Sequence, residues 1–373
     1  VGGGAAETPA GALDGADAVL VDYDPLPVVV DAADALKPGA PLLYPESKTN
    51  LGVSLKAESG DVDGAFKKAD VVVDMHMFNQ RVLPVCMEPR ACSAAWDDKT
   101  KKMVLYGDTQ TPHAMRDQIA ARLKLEPDQI HLMTGRVGGG FGAKVPVYQE
   151  DTIVPLLAMR LKRPVKWSAT RREDMQVTGH GRDMRIHLRL AADKTGRILG
   201  LDAKIIGNAG YCLYQVGCLL PVLCGQMITG CYDIQTARVD IQVAFTNTMG
   251  TVPYRGAGGP EPAYFIERAM DTLAVKLGMD PADVRKRNFI PPDRFPYQTV
   301  MGNNYDSGEY ARALDHALAK SGYAELRREQ QQARSQGRLV GIGLASYVEI
   351  CGFEDAETSD VIVGDDGKVQ VLN

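Results

Sequence analysis

The residues best suited to chemistry form a glycine-rich segment, Gly138-Gly139-Gly140-Phe141-Gly142-Ala143-Lys144. Successive glycines let backbone amides approach an anionic or oxo group, and a following helix N-terminus adds positive potential. A Walker A loop is excluded because Ala143 and Val145 flank the lysine, where glycine and a hydroxyl residue are required. A dinucleotide fingerprint fits the glycine spacing, but no acidic residue ends a second strand about twenty residues on. A tight turn into a helix is the alternative.

Two further segments place donor side chains at strand-to-helix transitions, where function tends to sit. In Pro253-Tyr254-Arg255-Gly256-Ala257-Gly258-Gly259-Pro260-Glu261, Arg255 can present several donors to a substrate or cofactor oxygen. In Thr109-Gln110-Thr111-Pro112-His113, Gln110 can donate to a ligand and His113 could ligate a metal. The alternatives are an exposed arginine on a mobile loop and simple capping or surface residues.

The elements that position these segments alternate between strand and helix patterns. Hydrophobic periodicity predicts strands over 18–23, 71–77, 103–106, 239–245 and 339–349, a hairpin over 182–206, and a strand, turn and strand over 361–371. Prolines at helix starts and glycines after helix ends help to predict helices over 111–123, 148–162, 261–277, 281–287, 309–320 and 323–335. A Gly-, Pro-, Ser- and Asn-rich loop over 38–60 predicts the first domain boundary. The fold class is α+β.

Composition narrows the function classes. The 373 residues predict two or three domains, and no apolar run is long enough for a membrane span. The net charge is −5, and the sequence contains no basic stripe of the kind that binds nucleic acid. Seven cysteines predict free thiols in a reducing cytoplasm. The spacing of Cys212, Cys218, Cys224 and Cys231 lacks the paired pattern of zinc or iron–sulfur sites, so buried thiols are favoured.

Taken together, the segments resemble a known family. Met87-Glu88-Pro89-Arg90, 109–113, 138–144 and 254–261 resemble the molybdopterin-binding large subunits of the xanthine oxidase family, most of all the aerobic carbon monoxide dehydrogenase-like branch. The likeness runs along essentially the whole chain. It implies the end of an α/β-hammerhead domain over 1–60, a first molybdopterin-binding domain over 65–320 and the start of a second over 338–373. A start without methionine and an end inside a hairpin lead us to expect a fragment.

The resemblance also implies roles for individual residues. Gln110 is expected to hydrogen-bond an oxo ligand of molybdenum, Arg255 to orient the substrate, and Phe289 to stack on it. No side chain of the chain is expected to ligate the metal. The Phe141 ring and glycine-loop backbone are expected to line the centre, and the cofactor contacts would be Gln110, Gly139, Gly140, Phe141, Gly142, Gly256 and Ala257.

The implied activity is hydroxylation with oxygen derived from water. The implied cofactor is molybdenum-molybdopterin in the cytosine dinucleotide form, with 2Fe-2S and FAD on small and medium partner subunits in a dimer of heterotrimers. Val145 replaces the glutamate of purine hydroxylases and Gly256 the copper-binding cysteine of carbon monoxide dehydrogenases, which leaves an aldehyde or an N-heteroaromatic substrate. The catalytic glutamate is expected beyond Asn373.

Two other hypotheses compete with this one. A Rossmann-type NAD enzyme predicts a βαβ unit around 130–165 with an acidic strand end, which the sequence lacks. An inactive fragment or an assembly scaffold without catalysis remains the alternative to the hydroxylase.

Overall fold

The computed structural model of the chain describes residues 4–214, 216–350 and 359–372. The strands, in chain order, are β1 (Leu51–Ser59), β2 (Val71–Asn79), β3 (Ala91–Asp97), β4 (Lys102–Gly107), β5 (Ile130–Met133), β6 (Val165–Ser168), β7 (Met184–Ala192), β8 (Ile198–Gly210), β9 (Ala237–Phe245), β10 (Tyr297–Gln298), β11 (Asn304–Tyr305), β12 (Asp360–Val363) and β13 (Val369–Leu372). The α-helices are α1 (Pro9–Asp17), α2 (Ala32–Ala35), α3 (Val62–Lys68), α4 (Pro112–Leu123), α5 (Glu150–Leu161), α6 (Arg171–Val177), α7 (Leu220–Gln226), α8 (Pro260–Leu277), α9 (Pro281–Asn288), α10 (Tyr310–Ser321) and α11 (Tyr323–Ser335).

The larger sheet has five strands in the order β1-β9-β8-β7-β2. The predicted hairpin is confirmed as β7 and β8, with Met184, Ile186, Leu188 and Leu190 buried as the alternation requires. Helix α8 packs on β2 and β7 and covers this apolar face. The pairing of β8 with β9 is parallel, and the other pairings of this sheet are antiparallel.

The smaller sheet, β5-β4-β3-β6, brings the Gln110 segment and the glycine-rich segment together. Strands β4 and β5 are parallel, so their carboxyl ends lie at the same edge of the sheet. Gln110 follows β4 and the glycine-rich segment follows β5, and both therefore leave the sheet at this edge. Helices α4 and α5 cover the sheet over a core that includes Met103, Leu105 and Ile119.

The predicted helices are confirmed with small shifts at their ends. Helix α5 contains Pro155 as expected, and α8 ends at the left-handed Gly278. The terminal hairpin is confirmed as β12 and β13. Across the described ranges, no helix combines the length and the apolar character that crossing a bilayer requires.

Three strand and loop predictions are wrong. Residues 18–23 and 339–349 adopt no regular structure, and both segments are largely exposed: Leu20 is 93% and Leu339 94% exposed. The loop predicted over 38–60 contains β1, which pairs along its length with β9. A strand needs a partner as well as a suitable sequence, and hydrophobic pattern reports only the latter. The division of the chain at 1–60, 65–320 and 338–373 stays a prediction.

A fully buried arginine ties the C-terminal helices together. The Arg285 side chain is 0% exposed and pairs with Glu267 Oε2 at 2.8 Å and with Asp271 Oδ1 at 2.9 Å. It also donates to the Leu344 carbonyl at 2.9 Å, so the segment after α11 is held against α8 and α9.

We expect Arg285→Met to lower the free energy of unfolding by about 3–5 kcal/mol, because it leaves the buried Glu267 carboxylate without its cation. Urea unfolding followed by circular dichroism measures this. Arg287→Met, on the exposed side of the same helix, is the control and should change stability little. Equal effects of the two substitutions would contradict this account of Arg285.

Candidate functional site

Gln110 is hydrogen-bonded to the glycine-rich loop through both its backbone and its side chain. The backbone amide of Gln110 donates to the Lys144 carbonyl at 2.9 Å. Its side-chain oxygen Oε1 accepts from the Gly142 amide at 2.8 Å and from the Lys144 amide at 3.3 Å. A Cβ atom on Gly140 would lie 2.4 Å from Oε1, so glycine at that position permits this close approach.

These contacts determine which end of the Gln110 amide is available to a ligand. Two N–H donors fix the oxygen toward the loop, and the Nε2 group therefore turns away from it. Among the described residues, no protein acceptor lies within hydrogen-bond distance of Nε2. Gln110 is exposed, so this donor faces accessible space.

The loop that carries Arg255 lies beside the glycine-rich loop. The Arg255 amide donates to the Phe141 carbonyl at 2.9 Å, which places the two loops side by side. Phe141 has a φ of 52° and its side chain is 43% exposed. The Arg255 side chain is exposed, and the Ala257 amide donates to the Tyr254 carbonyl at 2.8 Å to close the turn at Gly256. The structure thus brings Gln110, Phe141 and Arg255 together.

A buried lysine supports the glycine-rich loop from below. The Lys144 side chain is 1% exposed and its Nζ lies 2.8 Å from Asp108 Oδ2 and 3.1 Å from Glu88 Oε2. Burial opposes the charge on Lys144, but the two carboxylates outweigh it and raise its pKa. Burial raises the pKa of Asp108 in spite of this ion pair. Glu88 Oε2 also accepts from the Gly138 amide at 2.6 Å, which anchors the start of the loop.

A second cation supports the arginine loop. Arg182 donates to the carbonyls of Tyr254 at 3.1 Å and Arg255 at 2.8 Å, and it pairs with the fully buried Glu261 at 3.1 Å. The Arg182 guanidinium also lies 4.9 Å from the centre of the Tyr254 ring.

Sequence reasoning missed the supporting role of Lys144 and Arg182. Lys144 and Glu88 lie within the motifs 138–144 and 87–90, but nothing in either motif indicated their ion pair, and nothing in the sequence pointed to Arg182.

Phe289 does not join this group, and its expected role on the substrate needs correction. Its side chain is 6% exposed and belongs to the main core. The ring stacks on Tyr232 with centroids 5.6 Å apart and meets Tyr310 edge-on. A ring packed in this way has no free face to offer a substrate. The expectation rested on the family resemblance alone, and a matching position in the sequence does not identify the spatial neighbours of a residue.

Of the four cysteines expected to be buried thiols, Cys224 and Cys231 are buried, whereas Cys212 and Cys218 are partly exposed. All six cysteines within the described ranges are free thiols, and Cys224 and Cys231 are buried. Burial raises the pKa of both thiols, so they stay protonated at neutral pH. No described cysteine belongs to a cluster of potential metal ligands.

The donor set of the two loops fits a cofactor that carries its own metal ligands. The groups that face outward are the Gln110 amide and the Arg255 guanidinium, which donate hydrogen bonds and suit anionic oxygen. Cys86 lies under the loop, with Sγ 3.5 Å from the Gly140 carbonyl, and burial raises its pKa. These groups would suit a metal cofactor that presents oxygen ligands of its own.

Comparison with known proteins agrees with this fit. The sequence profile of the family described as "Molybdopterin cofactor-binding domain" matches residues 43–289. The chain belongs to the xanthine oxidase family of molybdopterin-binding proteins. It is 34% identical over 370 residues to the carbon monoxide dehydrogenase large chain of Hydrogenophaga pseudoflava, covering 94% of this chain and 46% of that one.

Two further relatives carry other names. The nicotine 6-hydroxylase large subunit of Paenarthrobacter nicotinovorans is 30% identical over 351 residues, covering 93% of this chain and 42% of that one. The crystal structure of quinoline 2-oxidoreductase from Pseudomonas putida 86 superimposes with a TM-score of 0.92 at 27% identity, covering 98% of this chain and 48% of that one. The chain thus spans somewhat less than half the length of the relatives that it matches.

We expect Gln110→Ala to speed hydrogen exchange of the Gly142 amide about five- to tenfold, because losing one hydrogen bond costs about 1 kcal/mol. Gln110→Glu keeps an acceptor at the same place and should preserve the protection. Exchange followed by NMR or by mass spectrometry of loop peptides measures both. Unchanged exchange in Gln110→Ala would show that the side chain does not hold the loop.

Proposed function

We propose that the chain is part of the large, molybdenum-binding subunit of a hydroxylase that inserts water-derived oxygen into an N-heteroaromatic compound or an aldehyde. The observation that carries the proposal is the orientation of the Gln110 side-chain amide. Its oxygen is bound to Gly142 and Lys144, which leaves its nitrogen as a donor, and the same loop contacts the Arg255 loop through the Phe141 carbonyl. Membership of the molybdopterin-binding family supports it independently.

In this proposal each loop residue has a defined task. When bound, the molybdenum cofactor supplies two-electron oxidation of an electron-poor carbon. The Gln110 Nε2 group would hold the cofactor through a hydrogen bond, and the glycine backbone over 139–142 would leave room for its close approach. Such fixed donors stabilise developing negative charge in a pocket from which water is excluded. The exposed Phe141 ring would line the site, Gly256 and Ala257 would contact the cofactor, and Arg255 would orient the substrate through a carbonyl or ring-nitrogen acceptor.

The arginine loop argues against copper-dependent oxidation of carbon monoxide. Gly256 has a φ of 93°, and a Cβ atom there would lie 2.5 Å from Pro260 Cγ. A cysteine at this position would need the loop to move, so this conformation offers no place for a copper-binding thiolate. Val145 likewise leaves no carboxylate for a purine.

An N-heteroaromatic substrate is favoured over an aldehyde by two comparisons. The relatives named for nicotine and for quinoline act, by their names, on nitrogen-containing rings. The exposed faces of Phe141 and of the Arg255 guanidinium suit a flat aromatic ligand, on which both can stack.

The proposed assembly follows from the same relatives. Because two of the relatives are named as a large chain and a large subunit, we propose an iron–sulfur small subunit, an FAD medium subunit and a cytoplasmic dimer of heterotrimers. We further propose the cytosine dinucleotide form of the cofactor. The alternative is a scaffold without catalysis, and metal content distinguishes the two.

We expect the full-length protein, purified with its partner subunits, to contain about one molybdenum per large subunit and to release cytidine monophosphate on acid hydrolysis. Gln110→Glu replaces the donor with a carboxylate, which repels an anionic ligand, and should lower kcat by about 10²–10³-fold or abolish molybdenum binding. Gln332→Glu on the exposed side of α11 is the matched control.

Elemental analysis and a turnover assay with quinoline- and nicotine-like substrates measure these effects. Assembled complex without molybdenum would contradict the hydroxylase and favour the scaffold. Full activity of Gln110→Glu would contradict the role of the Gln110 amide while leaving the family assignment intact.

A further inference from the structure

A cluster of metal-ligand side chains lies on the larger sheet, separate from the two loops. His76 on the edge strand β2 lies directly opposite His187 on β7 in the antiparallel register. Their rings stack with centroids 4.1 Å apart and an interplanar angle of 11°. Asp74 lies two residues before His76 and therefore projects from the same face of the sheet.

The three side chains converge at their polar ends. One ligand atom from each of Asp74, His76 and His187 lies within 4.8 Å of the other two. His187 Nε2 donates to Asp74 Oδ1 at 2.8 Å. In a tetrahedral zinc site the ligand atoms lie about 3.4 Å apart, so side-chain shifts of about 1–1.5 Å and a rotation of the stacked imidazole rings complete the site. Asp74 and His76 are exposed, and His187 is partly exposed, so the side chains are free to make such shifts.

We propose that Asp74, His76 and His187 form a surface site for a divalent transition-metal ion of the zinc class. Two imidazole nitrogens and one carboxylate oxygen are ligands that Zn²⁺, Cu²⁺ and Ni²⁺ accept, whereas Ca²⁺ and Mg²⁺ prefer oxygen alone. Three protein ligands leave a fourth position for water or an external group. The ion would link the edge strand β2 to β7.

The surrounding charges set the strength of this site. The Arg189 guanidinium lies 3.6 Å from Asp74 Oδ2 and holds that oxygen, which leaves Oδ1 toward the histidines. Lys204 on β8 is the register partner of His187 on its other side, and it is exposed. Both cations repel a metal ion, so we expect an affinity below that of a structural zinc site. This inference does not depend on the proposed hydroxylase activity.

The test is a titration of the protein with Zn²⁺ in competition with a chromophoric chelator, after alkylation of the accessible cysteines. We expect about one Zn²⁺ per chain, and His76→Ala or His187→Ala should each weaken binding by about tenfold or more. His316→Ala, an exposed histidine on α10, is the matched control and should bind as the unmodified chain does. Unchanged affinity in both cluster variants would overturn the site.

A second measurement keeps the proposal testable if a variant folds poorly. Electron paramagnetic resonance of the unmodified protein with one equivalent of Cu²⁺ should show hyperfine coupling to two imidazole nitrogens, and coupling to one in either variant that folds. A spectrum with oxygen ligands alone would overturn the proposal.

Discussion

The candidate site depends on one interaction: Gln110 Oε1 accepts hydrogen bonds from the backbone amides of Gly142 and Lys144. It is possible because β4 and β5 are parallel, so that Gln110 and the glycine-rich loop follow them at the same edge of the sheet. The same hydrogen bonds determine the direction of the Nε2 donor, so the shape of the loop and the chemistry of the glutamine are set together. Lys144 below the loop and Arg182 below the neighbouring turn hold this arrangement through buried charges.

Sequence reasoning could find the two candidate loops and Gln110 but not the buried ion pairs that support them. Gln110, the 138–144 segment and Arg255 stand in short, distinctive motifs, and the structure brings them together. The β7–β8 hairpin was evident because alternation over many residues reports one buried face. Arg182 and the Asp74–His76–His187 cluster act through partners far away in the sequence, which only strand register and tertiary packing determine.

The errors have the same origin. Residues 18–23 and 339–349 have apolar sequence without a strand partner, whereas β1 lies in a segment rich in turn residues and still forms because β9 pairs with it. Phe289 occupies the expected sequence position but packs between Tyr232 and Tyr310. In each case a non-local contact decided the outcome, and local pattern carries no information about that contact.

The most direct test of the central claim is an experimental structure of the full-length complex with its molybdenum cofactor bound. We expect Gln110 Nε2 to lie about 3 Å from an oxygen ligand of the metal, with Oε1 still accepting from Gly142 and the Phe141 ring beside the centre. Cofactor bound away from the 138–144 and 253–259 loops, or a Gln110 side chain turned with its oxygen toward the metal, would contradict the account.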